Sequence, residues 1–156
     1  MTPAIAAAKK ARITFSIHEY THDPAAESYG LEAAEKLGLD PARVFKTLVA
    51  AVGERDLAVA VVPVSRQLDL KLLARALGVK KAEMAAVKAV ERATGYVVGG
   101  VSPLGQKKRL ATVIDASAQA HQTLFVSAGR RGLEIELAPA DLAALTGARF
   151  AAIAKE

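Results

Sequence analysis

Residues 43–64 read RVFKTLVAAVGERDLAVAVVPV. Two apolar runs rich in β-branched residues, Arg43 to Val52 and Leu57 to Val64, flank the polar cluster Gly53-Glu54-Arg55-Asp56. That pattern predicts a β-hairpin. One residue in it is out of place. Lys46 stands among Val44, Phe45, Leu48 and Val49, and burying an ammonium is costly unless it meets an anion. Lys46 therefore snorkels to the strand edge, pairs with a buried acid, or lines a pocket for a negatively charged or ester-bearing ligand.

Working outward from the hairpin, strands and helices alternate irregularly. On the N-terminal side, Thr2-Pro3 caps a helix over Ala4 to Arg12, and ITFSIHEY, Ile13 to Tyr20, alternates as a strand. His22-Asp23-Pro24 is a turn, and Leu31 to Leu37 is a helix stopped at Gly38. On the C-terminal side, Asp69 caps a helix that runs to Leu77 and ends at Gly78. Lys81 to Arg92 reads as a further helix, and Tyr96 to Val98 as a short strand. Thr112 to Ile114, Thr123 to Ser127 and Leu133 to Leu137 read as strands, and Pro139 to Leu145 as the last helix. Strands joined in hairpins, without strict βα alternation, predict an α+β fold with a mixed, mostly antiparallel sheet. The length of 156 residues, with no linker or repeat, predicts a single domain over 1–156.

Composition narrows the chemistry. There is no cysteine, which excludes disulfides, thiolate metal sites and a cysteine nucleophile. The N-terminal apolar run is too short for a secretory signal, and no stretch reaches the roughly 20 apolar residues of a membrane span. A soluble cytoplasmic protein with no membrane partner is expected. The net charge is +5, and the basic residues cluster at Lys9, Lys10 and Arg12, at Lys80 and Lys81, at Lys107, Lys108 and Arg109, and at Arg130 and Arg131. Such clusters favour phosphate backbones through counterion release, or serve only as solvated faces.

The familiar motifs fail in turn. Gly100 to Gly105 has P-loop spacing, but Gln106 stands where the lysine is required. Gly129-Arg130-Arg131-Gly132 imitates the KH-domain clamp, yet strands flank it, so it reads as a hairpin tip. His18, His22 and His121 are the only histidines. The i,i+4 pair His18 and His22 lies on strand and turn, not on one helical face, so neither a metal nor any other cofactor is expected. No serine carries a nucleophile motif with a neighbouring base. What remains is the turn TGYVVGGVSPLGQKKR, Thr94 to Arg109. Its paired Gly99 and Gly100 either bring backbone N–H groups to a carbonyl oxygen or serve a tight turn. Tyr20 and Tyr29 flank the His22-Asp23-Pro24 turn, as half-buried core residues or as stacking surfaces for a base.

Five blocks, in order, carry a family resemblance. They are Y-x-H-D-P (Tyr20 to Pro24), V-F-K-T-L (Val44 to Leu48), A-V-A-V-V-P-V-S-R-Q-L-D-L-K (Ala58 to Lys71), T-G-Y-V-V-G-G-V-S-P-L-G-Q-K-K-R-L (Thr94 to Leu110) and S-A-G-R-R-G-L-E-I-E-L (Ser127 to Leu137). Together they span nearly the whole chain, and the sequence resembles the YbaK family of Cys-tRNA(Pro) deacylases, within the prolyl-tRNA synthetase-associated editing superfamily. The resemblance implies a mixed, mostly antiparallel, barrel-like sheet with surrounding helices. It implies a trans-editing enzyme that clears cysteine from mischarged Cys-tRNA(Pro), with prolyl-tRNA synthetase as partner and no DNA partner. It places Lys46, Gly99 and Gly100 at the reacting centre and Tyr20, Tyr29, Ser127 and Glu134 around the substrate. Glu134 occupies a position where some relatives have Asp, and Tyr29 one where Phe is usual. Lys107, Lys108, Arg130 and Arg131 are the candidates for tRNA phosphates. The implied mechanism suits a chain without a nucleophile, because the substrate's own thiol attacks its ester.

Three alternatives stay open on residues alone. One is a deacylase of other specificity, such as for Ala-tRNA, that uses water. The second is a non-catalytic tRNA-binding module. The third is a small-molecule phosphate-binding protein.

Overall fold

The computed structural model describes residues 1–26 and 28–155. The elements run α1 (Pro3–Ala11), β1 (Phe15–Glu19), α2 (Tyr29–Leu37), β2 (Phe45–Ala51), β3 (Leu57–Pro63), α3 (Leu70–Leu77), β4 (Glu83–Met84), α4 (Val87–Thr94), β5 (Ala111–Asp115), a 3-10 turn (Ala116–Ala120), β6 (Leu124–Arg130), β7 (Leu133–Leu137), α5 (Pro139–Thr146) and β8 (Arg149–Ala151). The hairpin forms as its sequence predicts, with Lys46 opposite Val62 and Ala51 opposite Leu57.

Two sheets result, one ordered β1-β7-β6 and the other β4-β2-β3-β5-β8. Pairing is antiparallel except for β3 with β5 and β5 with β8. Thus β3 is central, and Ala58 to Pro63 are all buried, which accounts for its unbroken apolar run. A parallel bridge between Val44 and Phe125 joins the sheets and wraps them, barrel-like, around one core. That core holds Phe45, Val59, Val61, Ile114, Leu124, Val126, Ile135 and Leu142. On the outer face of β2 and β3, α3 buries Leu73 against Ala60, Val62 and Ile153. On the outer face of β6, α2 sets Ala33 and Ala34 against Val44 and Phe125.

Where the elements differ from the sequence reading, a tertiary contact decides. The helix expected over Lys81 to Arg92 begins only at Val87, because Glu83 and Met84 are drawn out to pair with Ala51 and Ala50 at the edge of β2. The strand expected at Tyr96 to Val98 is a bend. The Tyr96 ring is buried and its hydroxyl donates to the Leu104 carbonyl at 2.6 Å, so the segment folds onto its own loop instead of a neighbouring strand. Helix α2 starts two residues earlier than expected, where the Ser28 hydroxyl accepts from Leu31 N–H. The strand β8 was not expected. Three residues carry too little alternation to be seen, and their pairing with β5 is parallel and remote in sequence.

Candidate active site

The hairpin leaves one edge of β2 open. Val64 N–H donates to the Val44 carbonyl at 2.8 Å. Alternation along the antiparallel ladder then turns the N–H and C=O of Thr47 away from β3. On that side β4 covers only Ala50 and Ala51, and the bridge to β6 lies back at Val44. Between them opens a cavity of about 450 Å³. Its walls come from β2 (Phe45 to Val49), from β4 and α4 (Met84, Val87, Val90), from β6 and β7 (Ser127, Glu134), and from Tyr20, Tyr29, Val98, Gly99 and Arg131. This cavity brings Tyr20, Tyr29, Lys46, Gly99, Ser127 and Glu134 together, and its apolar surface with a few polar groups is that of a ligand site.

Lys46 lines this cavity and forms no ion pair among the described residues. Partial burial holds its amine below the usual lysine range, since desolvation disfavours the charged form. Of the three sequence alternatives, pairing with a buried acid is therefore not what the structure shows. Glu134 also lines the cavity, 6% exposed, and burial pushes its carboxyl up to about 8. Ser127 faces it across the β6–β7 ladder, and the Ser127 hydroxyl accepts from Gly129 N–H at 3.1 Å. The phenol of Tyr20 is raised, first by burial and then by the charge of Glu134.

The titration of Glu134 has a consequence for stability. Its folded value of about 8 lies above the ordinary 4.5, so between those limits the folded chain holds a proton that the unfolded chain has lost. Stability therefore falls as pH rises through that window. Thermal unfolding from pH 4.5 to 9 is expected to show wild type losing Tm relative to Glu134→Gln, with a variant that tracks wild type at every pH as the contrary result.

The two turn glycines part company. Gly99 lines the cavity with φ +101°, and a Cβ there would lie 3.3 Å from the Tyr29 ring. Gly100 lies outside it. Its N–H donates to the Val97 carbonyl at 2.9 Å, and a Cβ would meet Arg130 Cα at 2.6 Å. Gly100 therefore lets the turn press against the β6–β7 hairpin tip, while the turn itself is braced by the Glu91 carboxylate, which accepts from Val98 N–H at 3.0 Å. Gly100→Ala should cost about 1–3 kcal/mol of stability, because the clash is with backbone that no rotamer relieves. Chemical denaturation checks this, and an unchanged midpoint would show that the turn has room.

The arginines of the hairpin tip also divide. Arg130 is exposed. Arg131 turns inward, pairs with Glu32 at 3.1 Å, and lies 4.4 Å over the Tyr29 ring. It is a strut that fixes Tyr29 at the cavity mouth, and Glu32, buried on α2, is its anchor. No sequence signal distinguished Glu32 from an ordinary polar-face residue. Thr47 was missed as well. Its hydroxyl is buried with no hydrogen-bond partner among the described residues, and only the ladder register shows that its backbone borders the cavity. Lys107 and Lys108 are exposed beyond the C-terminus of α4 and outside the lining.

Among the described residues, no group of three or more His, Asp or Glu is arranged to hold a metal ion, and no helix is long and apolar enough to cross a membrane. His18 is bound to Glu136 at 2.9 Å, with Arg43 on the other carboxylate oxygen at 3.5 Å. Hydroxyls are therefore present in the cavity, but no imidazole stands among its lining residues.

Comparison with known proteins shows the family. A family model described as "Aminoacyl-tRNA editing domain" matches residues 23–145. The chain is 48% identical over 120 residues to "Putative Cys-tRNA(Pro)/Cys-tRNA(Cys) deacylase EbsC" of Enterococcus faecalis, covering 77% of this chain and 73% of that one. It is 33% identical over 112 residues to "Uncharacterized protein YwhH" of Bacillus subtilis, covering 71% of this chain and 70% of that one. A solved structure described as "a putative trans-editing enzyme for prolyl tRNA synthetase" shares the fold, with TM-score 0.84 and 24% identity, over 99% of this chain and 96% of that one. The match over most of its length, with Lys46, Gly99, Ser127 and Glu134 gathered in one cavity, leads to one statement of kinship: this chain belongs to the aminoacyl-tRNA editing domain family.

Proposed function

We propose that this protein is a trans-editing deacylase that removes cysteine from mischarged Cys-tRNA(Pro), by attack of the substrate's own thiol. The observation that carries the reading is a cavity with polar groups for an ester but neither a cysteine in the chain nor an imidazole in its lining. A site of this kind positions and stabilises, and leaves the nucleophile to the substrate. The thiol sulfur bonds to the ester carbonyl carbon, the bond from that carbon to the ribose oxygen breaks, and the thiol proton ends on the released hydroxyl. The products are free tRNA and a cysteine thiolactone.

The residues take roles accordingly. Lys46 meets the terminal phosphate or the negative charge that develops on the carbonyl oxygen. Gly99 brings backbone against the same oxygen, with Gly100 shaping the turn that presents it. Tyr29, fixed by Arg131, and Tyr20 hold the terminal adenosine, and Ser127 and Glu134 contact the aminoacyl group. Prolyl-tRNA synthetase is the partner that supplies the mischarged tRNA. Deacylation of Cys-tRNA(Pro), Ala-tRNA(Pro) and Pro-tRNA(Pro), measured side by side, is expected to be fast for the first alone. Preferential cleavage of the alanyl ester would move the reading to a water-using deacylase, and binding without cleavage to a tRNA-binding module.

Lys107, Lys108 and Arg130 lie outside the cavity and are exposed, as a surface for tRNA phosphates requires. Charge reversal at each is expected to weaken tRNA binding and to reduce the log–log salt slope by roughly 0.7–0.9 for every phosphate that is no longer neutralised. Titrations at several salt concentrations decide it, since an unchanged slope would place these residues away from the RNA.

A further inference from the structure

Three carboxylic acids are buried among the described residues: Glu32, Asp115 and Glu134. Two are explained by the fold. Glu32 holds Arg131 and accepts from Asp23 N–H at 2.7 Å. Asp115 accepts from Ser117, Ile153 and Ala154. Glu134 has no hydrogen bond or ion pair to its carboxyl among the described residues, and it lines the cavity. A buried acid without a structural partner destabilises the chain that carries it, which marks it as kept for a ligand.

The groups around Glu134 do not supply its partner. Across β1 stands His18, committed to Glu136. Across β6 stands Ser127, which accepts from Gly129. Arg131 is bound to Glu32, Tyr20 is a neutral phenol, and Lys46 makes no ion pair. The cavity thus carries an unpaired amine and an unpaired acid that do not meet each other. An aminoacylated nucleotide is polarised in the same sense, with an ammonium at its acyl end and phosphate beyond the ribose.

We propose that Glu134 accepts the α-ammonium group of the aminoacyl ester, so that the cavity takes esters with a free amine and rejects N-acylated ones such as peptidyl-tRNA. The inference rests on the aminoacyl-tRNA reading above and adds the group by which the acyl end is recognised. An α-amine titrates near 7.7–8.0, beside the value of about 8 for Glu134. A free amine therefore takes the carboxyl proton on entry, or an ammonium enters and that proton leaves to solvent. Either route ends in the same carboxylate–ammonium pair, buried and charge-assisted.

N-acetylation tests this apart from the nucleophile, because it removes the positive charge and leaves the thiol. Two probes are needed: a stable amide analogue, 3′-cysteinylamino-3′-deoxyadenosine, with its amine free or acetylated, and Cys-tRNA(Pro) with its amine free or acetylated. Calorimetry on wild type is expected to favour the free amine by roughly 30-fold or more, and deacylation to show the same preference. Glu134→Gln should bring both ratios to within about 3-fold by losing affinity for the free amine alone. Its folding is verified by the pH-dependent Tm described above. Equal binding of the two analogues by wild type, no binding of either, or an unchanged ratio in Glu134→Gln would overturn the inference. Amine preference in binding, without deacylation of any ester, would overturn the deacylase reading and leave the role of Glu134 standing.

Discussion

Lys46→Ala is expected to lower deacylation of Cys-tRNA(Pro) by roughly 30- to 1,000-fold, the effect of removing about 2–4 kcal/mol of charged interaction made in the transition state. The fold should survive. Lys46 forms no ion pair, and its amine is held below the usual range by burial alone, so removing it leaves no stranded partner and relieves a desolvation cost. Thermal unfolding of the variant should therefore match or exceed wild type. The division of the loss is informative as well. If Lys46 binds only ground-state phosphate, KM rises and kcat holds. If it meets charge that develops on the carbonyl oxygen, kcat falls with kcat/KM. Turnover like that of wild type would remove Lys46 from the site altogether.

Much of this was readable from the chain, for reasons that differ residue by residue. The β2–β3 hairpin was legible because local alternation and a polar turn cluster coincide with the pairing. Lys46 was legible because a charge in an apolar strand is anomalous wherever it falls. The edge strand β4 was hidden inside a helical pattern, because its extension comes from two backbone pairings with Ala50 and Ala51, not from its own side chains. Arg130 and Arg131 are adjacent and chemically identical, yet only the buried Glu32 on α2 determines which one turns inward. Gly99 and Gly100 look equivalent until the hairpin tip is placed against Gly100. Thr47 carries no signal of its own. Its strand-edge amide matters only because β4 covers just Ala50 and Ala51 and the bridge to β6 lies back at Val44. Anomalies of residue type are visible in a sequence, whereas the division of labour between neighbours is set by partners far along the chain.

S-methylation of Cys-tRNA(Pro) is expected to abolish its rapid release while binding survives. The chain has no cysteine, the cavity lining has no imidazole, and His18, on the strand beside Glu134, is held by Glu136 at 2.9 Å. With no imidazole in the lining to activate a serine, a threonine or a water, the substrate's thiol is the most readily ionised nucleophile in the complex. It is also held next to the carbonyl it attacks, which makes the step intramolecular. A methyl group on sulfur changes an apolar contact by only about 1 kcal/mol, so affinity should move by less than about tenfold, while the chemical step loses its nucleophile entirely. Seryl-tRNA, whose hydroxyl is far less ionised near neutral pH, should react much more slowly than cysteinyl-tRNA. The wild-type product should be a cysteine thiolactone, visible by mass spectrometry before it hydrolyses. Rapid cleavage of the S-methylated ester, with solvent oxygen entering the product acid directly, would transfer the attack to water.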